Sequence, residues 1–262
     1  LAESKELALK NNNRIGKAKE DVIATQSDKL IADVAGRPKL DASATAFYFG
    51  EPLNTMLPEY GFAPMVSVTQ PIYTGGKIKY GKQMAETNIQ MSNAQQRLVE
   101  DEVLLATETA YWLVVQAKEE IKLEQQVKKQ LASHYTFLNN QFGAGLIYKN
   151  DVLRAKVLQN ENEARLQAAE NKLILAKRRL SQLIGMEDPT GIDVADTLST
   201  GDFSKQGVLE AADANRPEIE LATNGIKMSE LTKNMLKADL KPSVGLSLNG
   251  MAAFGKEGIN FG

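Results

Sequence analysis

From Lys77 to about Gln141 the chain contains no proline and, apart from Gly81, no glycine. A helix over that run, at about 1.5 Å per residue, would reach about 98 Å. Such a helix is too long for a compact α+β domain. Its later part carries an apolar seam in steps of three and four: Val103, Ala106, Ala110, Val114, Ala117, Ile121, Val127, Leu131 and Leu138. Glu124 and His134 interrupt it. After the break FGAGLIYKN a second run, from about Asp151 to Ile184, carries Val152, Ala155, Leu166, Ala169, Leu173, Ala176, Leu180 and Leu183, with Gln159 and Asn162 interrupting. Gly185 is a natural helix stop. Two heptad-like helices joined by a short turn predict an antiparallel α-hairpin. Alanine at many seam positions predicts close approach of the helices.

A second constraint is a repeat. With a constant offset of 204, Ala8 falls on Ala212, Asn11 on Asn215, Ile15 on Ile219, Ala18 on Ala222, Lys29 on Lys233, Pro38 on Pro242 and Ser43 on Ser247. One register without a gap carries a helix, a proline and a strand through both copies. This argues for duplication of a large unit, not a small solenoid repeat. The chain reads as one full repeat and the start of another.

Each copy begins with a helix, from about Ser4 to Val34 and from about Val208 to Ala238. Pro38 turns the first chain away from the helical region. Leu40 to Phe49 then alternates. Leu40, Ala42, Ala44, Ala46 and Tyr48 point one way and Asp41, Ser43, Thr45, Phe47 and Phe49 the other, which is a strand period. A loop follows over Gly50–Gly61, with two prolines, two glycines and an asparagine. Pro64–Tyr73 predicts a second strand and a long-looped antiparallel hairpin. In the second copy Val244, Leu246 and Leu248 alternate with Ser243, Gly245, Ser247 and Asn249. Three strands thus share a small apolar face opposite a polar one, and none carries Lys or Arg on the apolar face. A soluble antiparallel sheet alternates similarly. A barrel with lipid outside and water inside fits better beside helices this long.

Catalysis has little support. The single histidine, His134, lies mid-helix among polar neighbours, and the carboxylates are scattered along helical surfaces. Lys118–Lys122 and Glu119–Glu120 read as solvated faces. Gly75-Gly76 lacks the phosphate-cradling pattern and reads as a strand-to-helix turn. No metal-ligand spacing or cofactor motif appears. The absence of cysteine excludes disulfides and thiolate metal sites. A net charge of −2 gives no case for nucleic acid. No run reaches the roughly 18–20 apolar residues of a spanning helix, but a barrel would not show one. The chain opens at Leu1 without a basic-then-apolar leader, as when a signal peptide has been removed or left out.

At this point the chain resembles the TolC-like outer-membrane efflux proteins. The resemblance rests on ALKNNNRIGKA, the proline before the first strand, QPIYTGGK, the turn FGAGLIYKNDVLRA and the second opening NRPEIELA. It covers essentially the whole chain. It implies an α+β membrane protein: a long antiparallel α-helical hairpin forming a tunnel, plus strands contributing to a trimeric transmembrane β-barrel. The implied divisions are 1–38, an opening helix; 39–74, an outer-membrane β-hairpin with an external loop; and 75–185, a periplasmic α-hairpin. Then come 186–207, an irregular equatorial connector with a short strand at Ile192–Val194, and 208–262, an incomplete second repeat. The implied partners are two further copies in a homotrimer, a periplasmic adaptor, an inner-membrane pump and outer-membrane lipid of a Gram-negative cell. The role is a passive export conduit without enzymatic activity. A soluble periplasmic coiled-coil adaptor is the alternative; it explains the hairpin but not the repeated proline-plus-strand unit.

Two sites are expected. Gly143, Gly145, Leu146, Asp151 and Val152 form a docking tip for the adaptor. Its blander counterpart is an ordinary turn, with Gly143 and Gly145 at positive φ and Asp151 capping the second helix. Asp41, Ser43, Thr45, Ser67, Thr69, Ser243, Ser247 and Asn249 line the channel, and Leu40, Ala42, Ala44, Val66, Val68, Val244, Leu246 and Leu248 face lipid. The strand beginning at Val244 is expected to lack a partner within the chain.

Overall fold

The computed structural model describes residues 1–51, 56, 59–194 and 215–255. The chain divides into two compact units. The first comprises Leu1–Asp21 and Ala94–Ile219, the second Val22–Asn93 and Glu220–Gly262.

The expected opening helix is two helices, α1 (Ala2–Asn11) in the first unit and α2 (Asn13–Val34), which runs on into the second. The break is Asn12, whose backbone is extended. Its side chain makes both halves of the junction. Oδ1 accepts the Arg14 N–H at 2.9 Å, which satisfies an orphan donor at the start of α2. Nδ2 donates to the Leu183 carbonyl at 2.9 Å, and the neighbouring Asn11 Nδ2 donates to the Ile184 carbonyl at 3.3 Å. Those carbonyls belong to the last turn of a later helix and would otherwise lack partners.

The long run forms α3 (Lys77–Gly143), and after the turn α4 spans Lys149–Ile184. Ion pairs and hydrogen bonds run antiparallel between them. Lys172 meets Glu120 at 2.7 Å, Lys128 meets Glu163 at 3.4 Å, and Gln159 donates to the Leu131 carbonyl at 3.4 Å. The core of the unit sits at the base of this hairpin. Ala8, Ile15, Val103, Ala110, Val114, Leu180 and Ile184 cluster there with Tyr111. Tyr111 and Trp112 pack edge to face.

Residues 186–194 form no strand, so the expected one at Ile192–Val194 is absent. The alternation there buries Ile192 and Val194 against the core instead. Lys118 fixes the segment, donating to the Val194 carbonyl at 2.8 Å and pairing with Asp193. Its hydrogen bond and charge hold the Asp193 carboxyl below its ordinary value. The rest of the expected connector, and the helix start expected near Val208, lie outside the described residues.

Gly185 closes α4 at φ 71° and ψ 31°. The Met186 N–H then reaches the Ser181 carbonyl at 2.9 Å. A Cβ at Gly185 would lie 2.6 Å from the Asn11 Cβ, so strain and a clash coincide. Gly185→Ala is expected to lower stability by about 1–3 kcal/mol. Gly16→Ala, a helix-interior site with nothing near its added Cβ, should instead raise it by about 0.5–1 kcal/mol. Equilibrium unfolding of both variants checks the contrast; equal effects would contradict it.

The second unit holds the sheet. β1 (Lys39–Tyr48) and β2 (Tyr60–Tyr73) pair antiparallel, and β3 (Val244–Met251) lies on the other edge of β2. The two-residue β4 (Phe254–Gly255) continues beside β2. The expectation that the third strand lacks an internal partner is therefore corrected, since β2 supplies its free edge. The helix α5 (Pro217–Asp239) leads into β3 and starts with proline, which is preorganised for a first helical position. Adding 204 to the bounds of α2 gives 217–238, and to those of β1 gives 243–252. The repeated sequence thus folds into repeated elements, and β1 and β3 flank the same strand. Within the unit Gln70 Nε2 donates to the Gly36 carbonyl at 2.9 Å, and Lys77 pairs with Asp239.

Candidate functional site: the strand faces and the hairpin turn

Directly opposed residues in a ladder share a face. The register sets Leu40 against Val68 and Val68 against Leu248. It sets Ala42 against Val66 and Ala44 against Pro64. Leu246 stands beside Gln70 on that same face. On the other face Asp41 meets Ser67, which meets Asn249, and Thr69 meets Ser247. Apart from Ser243 and Val244, the residues assigned to lipid and to water from alternation alone therefore lie on two opposite faces. Ser43 and Thr45 follow Asp41 on the polar side.

Three details were not foreseen. Ser243 precedes the first paired residue of β3 and does not join the ladder. A register shift between Pro71 and Tyr73 sets Val244 opposite Tyr73. Met65 and Met251 pair with each other on the polar face, beside Ser43, and Ala63 and Phe47 follow on that face toward the loop. Period two already put Met65 in line with Ser67, so that exception was legible.

No residue of β1, β2 or β3 is buried. Leu246 is 66 % and Leu248 74 % exposed. A soluble sheet hides one face, and the cost of leaving large aliphatic residues in water is about 1.5–3 kcal/mol each. The ten residues of β1 match the roughly 9–11 of a tilted transmembrane strand. At the loop end of the apolar face the register gathers aromatic groups. Tyr48 lies opposite Tyr60, and Ala46 and Phe254 flank Phe62. Among the described residues the outer edges of β1 and β3 carry no strand.

The turn between α3 and α4 is set by backbone geometry. The Leu146 N–H donates to the Gln141 carbonyl at 3.0 Å and the Gly145 N–H to the Phe142 carbonyl at 2.9 Å. With Gly145 at φ 75°, this is a Schellman closure. An added Cβ at Gly145 would touch nothing, so only φ demands glycine. Gly143 remains in α3 with no positive φ, which corrects the idea that both glycines turn the chain. Asp151 is not the cap either. Tyr148 occupies that position without a side-chain hydrogen bond, and Asp151 sits in the first turn, where its charge suits the helix dipole.

In a Schellman closure the residue after the glycine commonly packs back on its helix. Leu146 does not; it is 73 % exposed. Val152 is buried, so it supports the turn from beneath and presents no surface. Alignment to a motif could not separate these roles. Tyr148, 84 % exposed, was missed, as were exposed Phe142 and Leu153. A tyrosine in a polar turn two residues from a stranded leucine was the available signal. His134 is exposed on the hairpin surface. Among the described residues no cluster of metal-binding side chains occurs, and no helix is long and apolar enough to cross a membrane.

A long helical hairpin joined to a small antiparallel sheet is the fold of the TolC-like channels. The outer membrane efflux protein family model matches residues 5–186, and the chain belongs to that family. The structure is similar to the Campylobacter jejuni CmeC outer membrane channel, with TM-score 0.78 and 15 % identity over 97 % of this chain and 60 % of that one. It is similar to VceC from Vibrio cholerae, with TM-score 0.77 and 15 % identity over 98 % and 68 %. The open-state MtrE channel of Neisseria gonorrhoeae aligns with TM-score 0.73 and 17 % identity over 97 % and 63 %. At these identities the likeness speaks for the fold. The chain spans about three fifths of the first channels it matches. No curated protein sequence matches it.

Proposed function

We propose that this chain is part of the outer-membrane channel of a tripartite efflux or type I secretion system, a passive conduit from periplasm to exterior. The observation that carries the reading is the sheet: one apolar and one polar face, both exposed, with outer edges that carry no strand among the described residues. Open edges are not tolerated in lipid, and three or four strands cannot close a barrel alone. Three copies, each contributing strands from two repeats, would close one. The apolar face then meets lipid, while Asp41, Ser43, Thr45, Ser67, Thr69, Ser247 and Asn249 line water. Ser243, just before the ladder, would stand at the periplasmic mouth. The hairpins extend through the periplasm as a tunnel, and the α3–α4 turn docks an adaptor that connects it to an inner-membrane pump.

The soluble-adaptor alternative needs an apolar sheet face buried against helices, and no strand residue here is buried. The full-length gene product in a planar lipid bilayer provides the test. Discrete, long-lived conductance steps are the expected result. A protein soluble without detergent that leaves the bilayer silent would overturn the proposal.

A further inference from the structure

We infer that a polar layer, half-buried Glu124 with buried Asn162, divides the α3–α4 hairpin into a rigid base and a tip that opens separately. On the base side the buried part of the seam is mainly apolar, with an open cleft of about 390 Å³ beside Ala117 and Ala176. Val103, Ala110, Val114 and Ala117 of α3 and Ala169 and Leu180 of α4 are all buried. At the layer this changes. Asn162 is 1 % exposed, and its Nδ2 donates to Glu124 Oε2 at 2.5 Å and to the Glu124 carbonyl at 3.3 Å. Its Oδ1 is buried without a partner. A buried acceptor left unmatched weakens the packing around it. Beyond the layer, over residues 125–161, only Val152 and Ala155 are buried.

Two of the four seam interruptions legible in the sequence, Glu124 and Asn162, thus meet in space. Asn162 also lines a cleft of about 170 Å³ with Leu131, Ala132 and Gln159, between Lys128 and Glu163. That space is polar and roomy enough for water, which would supply the donor that a dry seam lacks. A hydrated layer ends the continuous packing of the base. With few buried apolar groups past it, the tip has a low free energy of opening. Its purpose rests on the docking reading, since a tip that opens separately can adjust its two helix ends to an adaptor. The opening itself does not.

Hydrogen exchange of the full-length assembly, with no adaptor present, tests the division. Amides of 127–140 and 153–160 are expected to exchange at least about tenfold faster than those of 105–118 and 170–182. Glu124→Leu with Asn162→Leu should slow the tip by about tenfold and leave the base unchanged, because it closes the seam. Asn162→Asp keeps the shape, sets a second carboxylate against Glu124, and should speed the tip alone. Uniform protection along the hairpin overturns the inference. So does a fast tip indifferent to both variants, which would be ordinary fraying near a turn. Neither result bears on docking, which is read separately by export.

Discussion

Gly145→Arg combined with Leu146→Arg is expected to abolish export while leaving trimers intact. Gly145 holds a positive φ in open space, so the first change adds bulk and charge with modest local strain. Leu146 projects from the turn, so the second converts an apolar contact into a charge that a partner must desolvate. The buried cluster that holds the unit together is built at the other end of the hairpin and is untouched. Accumulation of an exported dye, together with crosslinked trimer yield, separates the two effects. Normal export by the double variant would remove the docking role. Val152→Ala should act differently: it loosens a buried side chain, lowers stability, and spares the exposed surface.

The second large effect concerns the sheet. Lysine at Val66 or Leu248 is expected to cost roughly 2–4 kcal/mol of barrel stability, the penalty for a cation at a mid-membrane lipid face. Lysine at Ser67, one residue from Val66, should fold nearly as well and instead change conductance and ion selectivity. Ser67 neighbours Asp41 and Asn249 in the register, so its lysine would enter a polar row beside an existing carboxylate. Unfolding in lipid vesicles and single-channel recording of each variant check the pair. Equal stability losses at Val66 and Ser67 would contradict two distinct faces.

Much of this was written in periodicity. The run without breakers from Lys77 became one helix because nothing in it opposes the helical hydrogen-bond ladder. The grouping of side chains by face was legible over the regular part of the ladder because register there preserves parity, so alternation read on each strand alone agrees when the strands meet. The offset of 204 carried α2 and β1 onto α5 and β3. What periodicity could not see was tertiary. Asn12 sits in a stretch that reads as helix, yet its amide serves two helix ends, one of them 171 residues away. Ile192–Val194 alternates like a strand, but its neighbours are a helical core and Lys118. Val152 and Leu146 share a motif, but only the fold decides that one is buried and the other free. The partner of β3 was expected outside the chain because the offset of 204 puts the counterpart of Pro64–Tyr73 near position 268; the second edge of β2 takes that place.

The central claim is that β1, β2 and β3 present one face to lipid and the other to water inside a barrel. Thiol labelling measures this directly, since these 262 residues contain no cysteine. In the full-length protein in membranes, a water-soluble thiol reagent should modify Ser43→Cys and not Ala42→Cys. The reverse pattern would invert the two faces, and equal labelling at both would contradict a membrane location for these strands.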